Sequence, residues 1–152
     1  MRPRTNQIIP FPLREVLEKE THGALFREVM DHVEKVATFV DGPGRRIAKA
    51  ASLKSSLAYS RASLVLTTKL VDASSLMILA RDWVDDKVPD DDAITRLGRL
   101  RLGGAERFWD DENTPEEMQQ LCLVAEALLA RVRSAAERLR RAVEAEQGRE
   151  VA

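Results

Sequence analysis

Hydrophobic positions between residues 53 and 84 fall into two neighbouring stripes. Leu53, Leu57, Leu64, Val71 and Ile78 follow the three-four spacing of a helix, with Ser60, Thr67 and Ser74 filling the missing steps. A second stripe runs through Tyr59, Ala62, Leu66, Ala73, Met77, Ala80 and Val84. The pattern predicts one long central helix over 53–84, buried on both stripes and covered from two directions. No Gly or Pro falls between residues 45 and 87, and at about 1.5 Å per residue such a helix spans roughly 45–50 Å.

Two further periodic segments flank it. In 24–40, Leu25, Val29, Val33, Val36 and Val40 form a stripe widened by Phe26, Met30, Ala37 and Phe39, and the pairs Glu28/His32 and Asp31/Lys35 are expected to meet on the solvated side. Asp41-Gly42-Pro43-Gly44 ends this helix and reverses the chain. In 114–146, Thr114 reads as an N-cap, Pro115 as the first helical residue and Glu117 as the far side of a capping box. Met118, Leu121, Ala125, Leu128, Val132, Ala135, Leu139 and Ala142 then keep heptad spacing until Gln147-Gly148. Between the second and third long helices, acidic residues from Asp85 to Asp92 start a short connecting helix faced by Ile94, Leu97, Leu100 and Leu102. Phe108 and Trp109 are expected to lie across the bundle end. The reading is all-α: an antiparallel three-helix bundle with a long central helix, a short connecting helix and apolar length left over for a second copy, hence a homodimer.

Prolines at 3, 10 and 12 deny a helix to the start of the chain. The expected organisation is a flexible arm over 1–20, with a short helix possible at 13–20, a bundle over 21–147 and a tail over 148–152. Composition changes this picture little. The 152 residues are 44% hydrophobic and 32% charged, as expected of one soluble helical domain. With 24 cations against 25 anions, the net charge of -1 gives phosphate-directed binding no global support, so nucleic acid is not the expected partner. A lone cysteine, and no apolar run near the start that would serve as a signal peptide or membrane span, point to a cytoplasmic protein.

Candidate chemistry is sparse. Neither His22 nor His32 has a Glu three residues earlier, as a carboxylate-bridged metal bundle would require, so no metal is expected. Cys122 falls on the buried side of its helix and reads as a small core residue rather than a nucleophile. Gly98 and Gly103-Gly104 lack the Lys-Ser or Lys-Thr of a phosphate loop. No catalytic residue and no cofactor are expected. Arg96, Arg99, Arg101 and Arg107 form a basic patch diluted by neighbouring acids, which keeps open a nucleic-acid-binding or small-ligand-binding module. The hydroxyl rows Ser55-Ser56, Thr67-Thr68 and Ser74-Ser75 read as small residues that let helices approach closely. For partner binding, the expected exposed cations are Arg45 and Arg46 after the turn, with Arg61 and Lys69 pointing outward from the central helix.

Asp41-Gly42-Pro43-Gly44-Arg45, then Leu57-Ala58-Tyr59, then Leu66-Thr67-Thr68-Lys69-Leu70 resemble, in order and spacing, the alphaproteobacterial family of the regulator of CtrA degradation, RcdA. The likeness is closest from Leu25 to Asp86. It departs at Ala62, Leu64 and Val65 and at Ser74-Ser75-Leu76, as in a divergent member. The resemblance implies a three-helix bundle that dimerises, has no enzymatic activity, and helps deliver response regulators or co-adaptors to ClpX within the ClpXP protease during cell-cycle control.

Overall fold

The computed structural model describes residues 11–103, 109 and 112–151. Among these residues the fold is all-helical: α1 (Phe11–His22), α2 (Ala24–Asp41), α3 (Pro43–Ala50), α4 (Leu53–Val84), α5 (Asp90–Arg99) and α6 (Glu116–Val151). The central helix has the predicted bounds. Its start is set by Ser52, whose side chain accepts from the Ser55 backbone N–H at 3.2 Å.

One core holds α1, α2, α4 and α6 together. From α4 it takes the Tyr59, Ala62, Leu66, Ala73, Met77 and Ala80 stripe, enlarged by Leu70, Leu76 and Trp83. Alanines let the neighbouring helices approach, and the large side chains fill the remaining space. The other stripe is not buried. Leu53 is 76% exposed, Leu64 69%, and Leu57, Val71 and Ile78 lie outward beside them. Periodicity alone marked both faces as apolar, but α1, α2 and α6 all pack on the same one. Of the hydroxyl rows, Thr67, Thr68 and Ser75 are exposed on this outer side. Ser60 donates to Ser56 O at 2.9 Å, Thr68 to Leu64 O at 2.9 Å and Ser75 to Val71 O at 2.8 Å, each within its own helix.

Contacts between helices give the directions. Along α6, Leu121 meets His32, Arg131 meets Glu28 and Arg138 meets Glu20, so α6 runs against α2. Along α4, Tyr59 lies by Gly44 and Arg81 by Phe26, so α4 also runs against α2. It follows that α4 and α6 run the same way rather than antiparallel. The connection between them makes this possible: beyond α5 the chain turns back, bringing Gly103 beside Lys69 near the middle of α4.

The expected arm is shorter than its prediction. Phe11–His22 is a helix with Leu13 and Leu17 buried and packs on both α4 and α6, so the packed unit begins near residue 11. Residues 1–10 lie outside the described residues, as do Phe108 and Arg107, while Trp109 is buried in the core. At the other end α6 continues through Gly148 to Val151, where a tail was expected.

Two local expectations change. The helix α3 occupies the segment expected to be a simple reversal. The Thr114 hydroxyl is buried without a hydrogen-bond partner rather than capping α6, which starts at Glu116. Among the aspartates, Asp90 accepts from Trp83 Nε1 at 2.8 Å, tying α5 to the end of α4, and Asp86 turns the chain at a φ of 59°. The heptad on α6 is as predicted: Met118, Ala125, Val132, Ala135 and Leu139 are at most 1% exposed.

Candidate functional site

Two surfaces carry the four cations expected to meet a partner. The first is the α2–α3 corner. Pro43 opens α3, Arg45 N–H bonds Gly42 O at 3.1 Å, and Gly44 is buried against Phe39 and the Tyr59 hydroxyl. Thus Asp41-Gly42-Pro43-Gly44 and Leu57-Ala58-Tyr59, separate in sequence, form one contact. The corner presents Arg45 and Arg46 to solvent on α3. The Tyr59 hydroxyl has no hydrogen-bond partner, and burial pushes its phenol up, opposed by the nearby charge of Arg45.

The second surface is the outer face of α4. Arg61 lies exposed on it, between Leu57 and Leu64. Lys69 does not point freely outward: it is half-buried, with its Nζ beside Gly103. The exposed leucines themselves were missed. Their signal was available, because a three-four repeat whose alternate members are Ser, Thr and Ser is poorer in bulk than a core stripe needs.

Of the basic patch, Arg96 and Arg99 line a cleft of about 410 Å³ with Ser75, Ile78, Leu79, Asp82 and Leu100. Some charged side chains elsewhere join helices. Arg131 pairs with Glu28 at 2.6 Å and holds its carboxyl below the usual carboxylate range. Arg140 reaches across to Leu100 O at 3.0 Å. His32, expected on the solvated side with Glu28, is buried and donates from Nε2 to Leu121 O at 2.9 Å.

Reactive chemistry does not converge. Burial pushes the Cys122 thiol up to about 12, with the charge of Glu126 adding to the effect, so at neutral pH it is a thiol in the core. Among the described residues no group of three or more His, Cys, Asp or Glu is placed to hold a metal ion. The helix α4 is long and apolar enough by composition to cross a membrane, yet 39% of its most apolar window is buried inside the bundle.

No curated protein and no solved structure matches this chain. A family model described as a protein of unknown function, DUF1465, matches residues 13–152, from the first turn of α1 through α6. By that match, which takes in every helix of the packed unit, the chain belongs to the DUF1465 family.

Proposed function

We propose that the protein is a non-catalytic helical adaptor of the RcdA kind, a cytoplasmic three-helix bundle, joined by α1, that works as a homodimer. In this reading it tethers response regulators or co-adaptors near ClpX, so that ClpXP degrades them faster through raised effective concentration. The observation that carries the reading is the α2–α3 corner. There the residues of the RcdA-like pattern are used to build a contact, Gly44 on Tyr59, that projects Arg45 and Arg46 outward. A corner held by a buried glycine and carrying exposed cations is suited to meeting an acidic protein surface. Arg61 extends the same charge along α4.

The test is a pull-down from a lysate of the native organism, with proteins identified by mass spectrometry. Recovery of ClpX or a response regulator by the wild type, lost with Arg45→Glu and Arg46→Glu together, is the expected result. Recovery of neither, where another adaptor retains ClpX, contradicts the reading.

One observation favours a second reading as a ligand-binding or nucleic-acid-binding module: Arg96 and Arg99 flank a cleft with an apolar floor. An electrophoretic shift in low salt, abolished by Arg96→Glu with Arg99→Glu, would support it, since phosphate contacts strengthen as salt falls.

A further inference from the structure

Among the described residues no helix covers the outer stripe of α4, which has the spacing of a heptad seam. Leu57, Leu64, Val71 and Ile78 repeat every seven residues, and Leu53, Ser60, Thr67 and Ser74 interleave at the complementary spacing. Such a pattern is what a second helix lying alongside requires: large knobs at one position and small residues at the other to receive them. Ser60 and Ser74 turn their donors back to their own helix, at 2.9 and 3.0 Å. At these two positions the row therefore presents little unsatisfied polarity to a covering helix.

We propose that this face is the contact between two copies of the chain, paired antiparallel about an axis near Thr67 and Thr68. The inference rests on the homodimer in the preceding reading and assigns its interface and orientation.

Charge selects the orientation. From residue 42 to 71 the chain carries six cations and no carboxylate, and from 72 to 92 it carries seven carboxylates and two cations. Parallel pairing sets the cationic halves against each other. Antiparallel pairing sets each against the acidic half of the other copy, which lowers the repulsion and fixes register. In the antiparallel arrangement Leu64 meets the partner's Val71, and Lys54 comes beside the partner's Asp82. Leu57 of the partner subunit lies over the cleft that Ile78 and Leu79 floor, with Asp82, Arg96 and Arg99 at its rim.

Area selects this face over α6. Covering the exposed parts of the five apolar residues removes on the order of 500 Å² per copy. For the pair that is about 1,000 Å², the level at which specific interfaces separate from incidental contacts. Among the described side chains of α6 the exposed large apolar residues are the adjacent Leu123 and Val124, two side chains without a repeating seam.

The test uses the full chain carrying Cys122→Ala, which removes the native thiol. Protein with Lys54→Cys is mixed with protein carrying Asp82→Cys, and mild oxidation should give a mixed disulfide dimer. Lys54→Cys alone should give at least about tenfold less. In a separate variant, Leu64→Glu with Val71→Glu should weaken the dimer by about a hundredfold or more in light scattering. Both residues point outward, so the far-ultraviolet circular dichroism of that variant should match wild type. Efficient disulfide formation by Lys54→Cys with itself overturns the orientation. A dimer unaffected by the double glutamate variant overturns the interface while leaving the dimer itself intact. A wild-type chain that stays monomeric at about 100 μM overturns both.

Discussion

The ring of His32 donates from Nε2 to the carbonyl oxygen of Leu121, 2.9 Å away and 89 residues along the chain. This bond joins the middle of α2 to the first turns of α6, and it explains how a polar residue sits in the core. Burial holds the imidazole below its ordinary value of 6.5; the Leu121 carbonyl opposes this and the charge of Lys35 adds to it. Because the folded form resists protonation, the unfolded chain binds more protons below pH 6.5. Stability should therefore be complete above that pH and fall as the pH drops beneath it. Urea unfolding between pH 7 and 5.5 checks this. The wild type should weaken across the range, while His32→Gln, which keeps a donor but does not titrate, should weaken less. The Glu28–Arg131 pair acts below the ordinary carboxylate value of 4.5 and so outside this window.

Gly44 marks a point where backbone and side chain compete for the same space. A Cβ there would collide with the Tyr59 hydroxyl and stand 2.9 Å from Phe39 O. Gly44→Ala should cost about 1–3 kcal/mol, as overpacking does. Tyr59→Phe removes a buried hydroxyl that has no partner, and should leave stability within about 0.5 kcal/mol of wild type or raise it. In the Tyr59→Phe background the alanine should be better tolerated by about 1 kcal/mol, the remaining cost coming from Phe39 O. A thermodynamic cycle of the four proteins measures this coupling.

Glu20 is a carboxylate with 6% of its side chain exposed, held by Arg138 at 2.7 Å. It joins α1 to α6, so α1 depends on a charge pair as well as on Leu13 and Leu17. Arg138→Met strands the carboxylate and should cost about 1–2 kcal/mol, the value being moderated because Arg138 is about half exposed. The double variant Glu20→Gln, Arg138→Met should recover part of that loss. Hydrogen exchange along α1 should show the same order, fastest in the single arginine variant.

The helices of this fold were legible where one stripe had one meaning. On α6 a single heptad of Met118, Ala125, Val132 and Leu139 faced the core as its spacing required. On α4 two apolar faces met the same criterion, and only the packing of α1, α2 and α6 on one of them decides between Leu66 and Leu64. His32 reads as surface because its side chain is polar, and its partner carbonyl cannot be found by local spacing. The parallel course of α4 and α6 depends on a return connection that carries no periodic signal. Arg45, Arg46 and Arg61 were found as exposed cations, whereas Lys69 was not, since Gly103 comes from a distant segment to lie beside it.

The division of α4 into an inner and an outer apolar face is tested most directly by two leucines two residues apart. Leu66 is fully buried and Leu64 is 69% exposed. Circular dichroism of Leu66→Asp and Leu64→Asp, followed through thermal unfolding, compares them under identical conditions. Leu66→Asp places an unpaired charge in the core and should abolish the cooperative transition. Leu64→Asp should keep wild-type helicity and unfold cooperatively. Equal loss of structure in both variants, or a cooperative Leu66→Asp, would contradict the account.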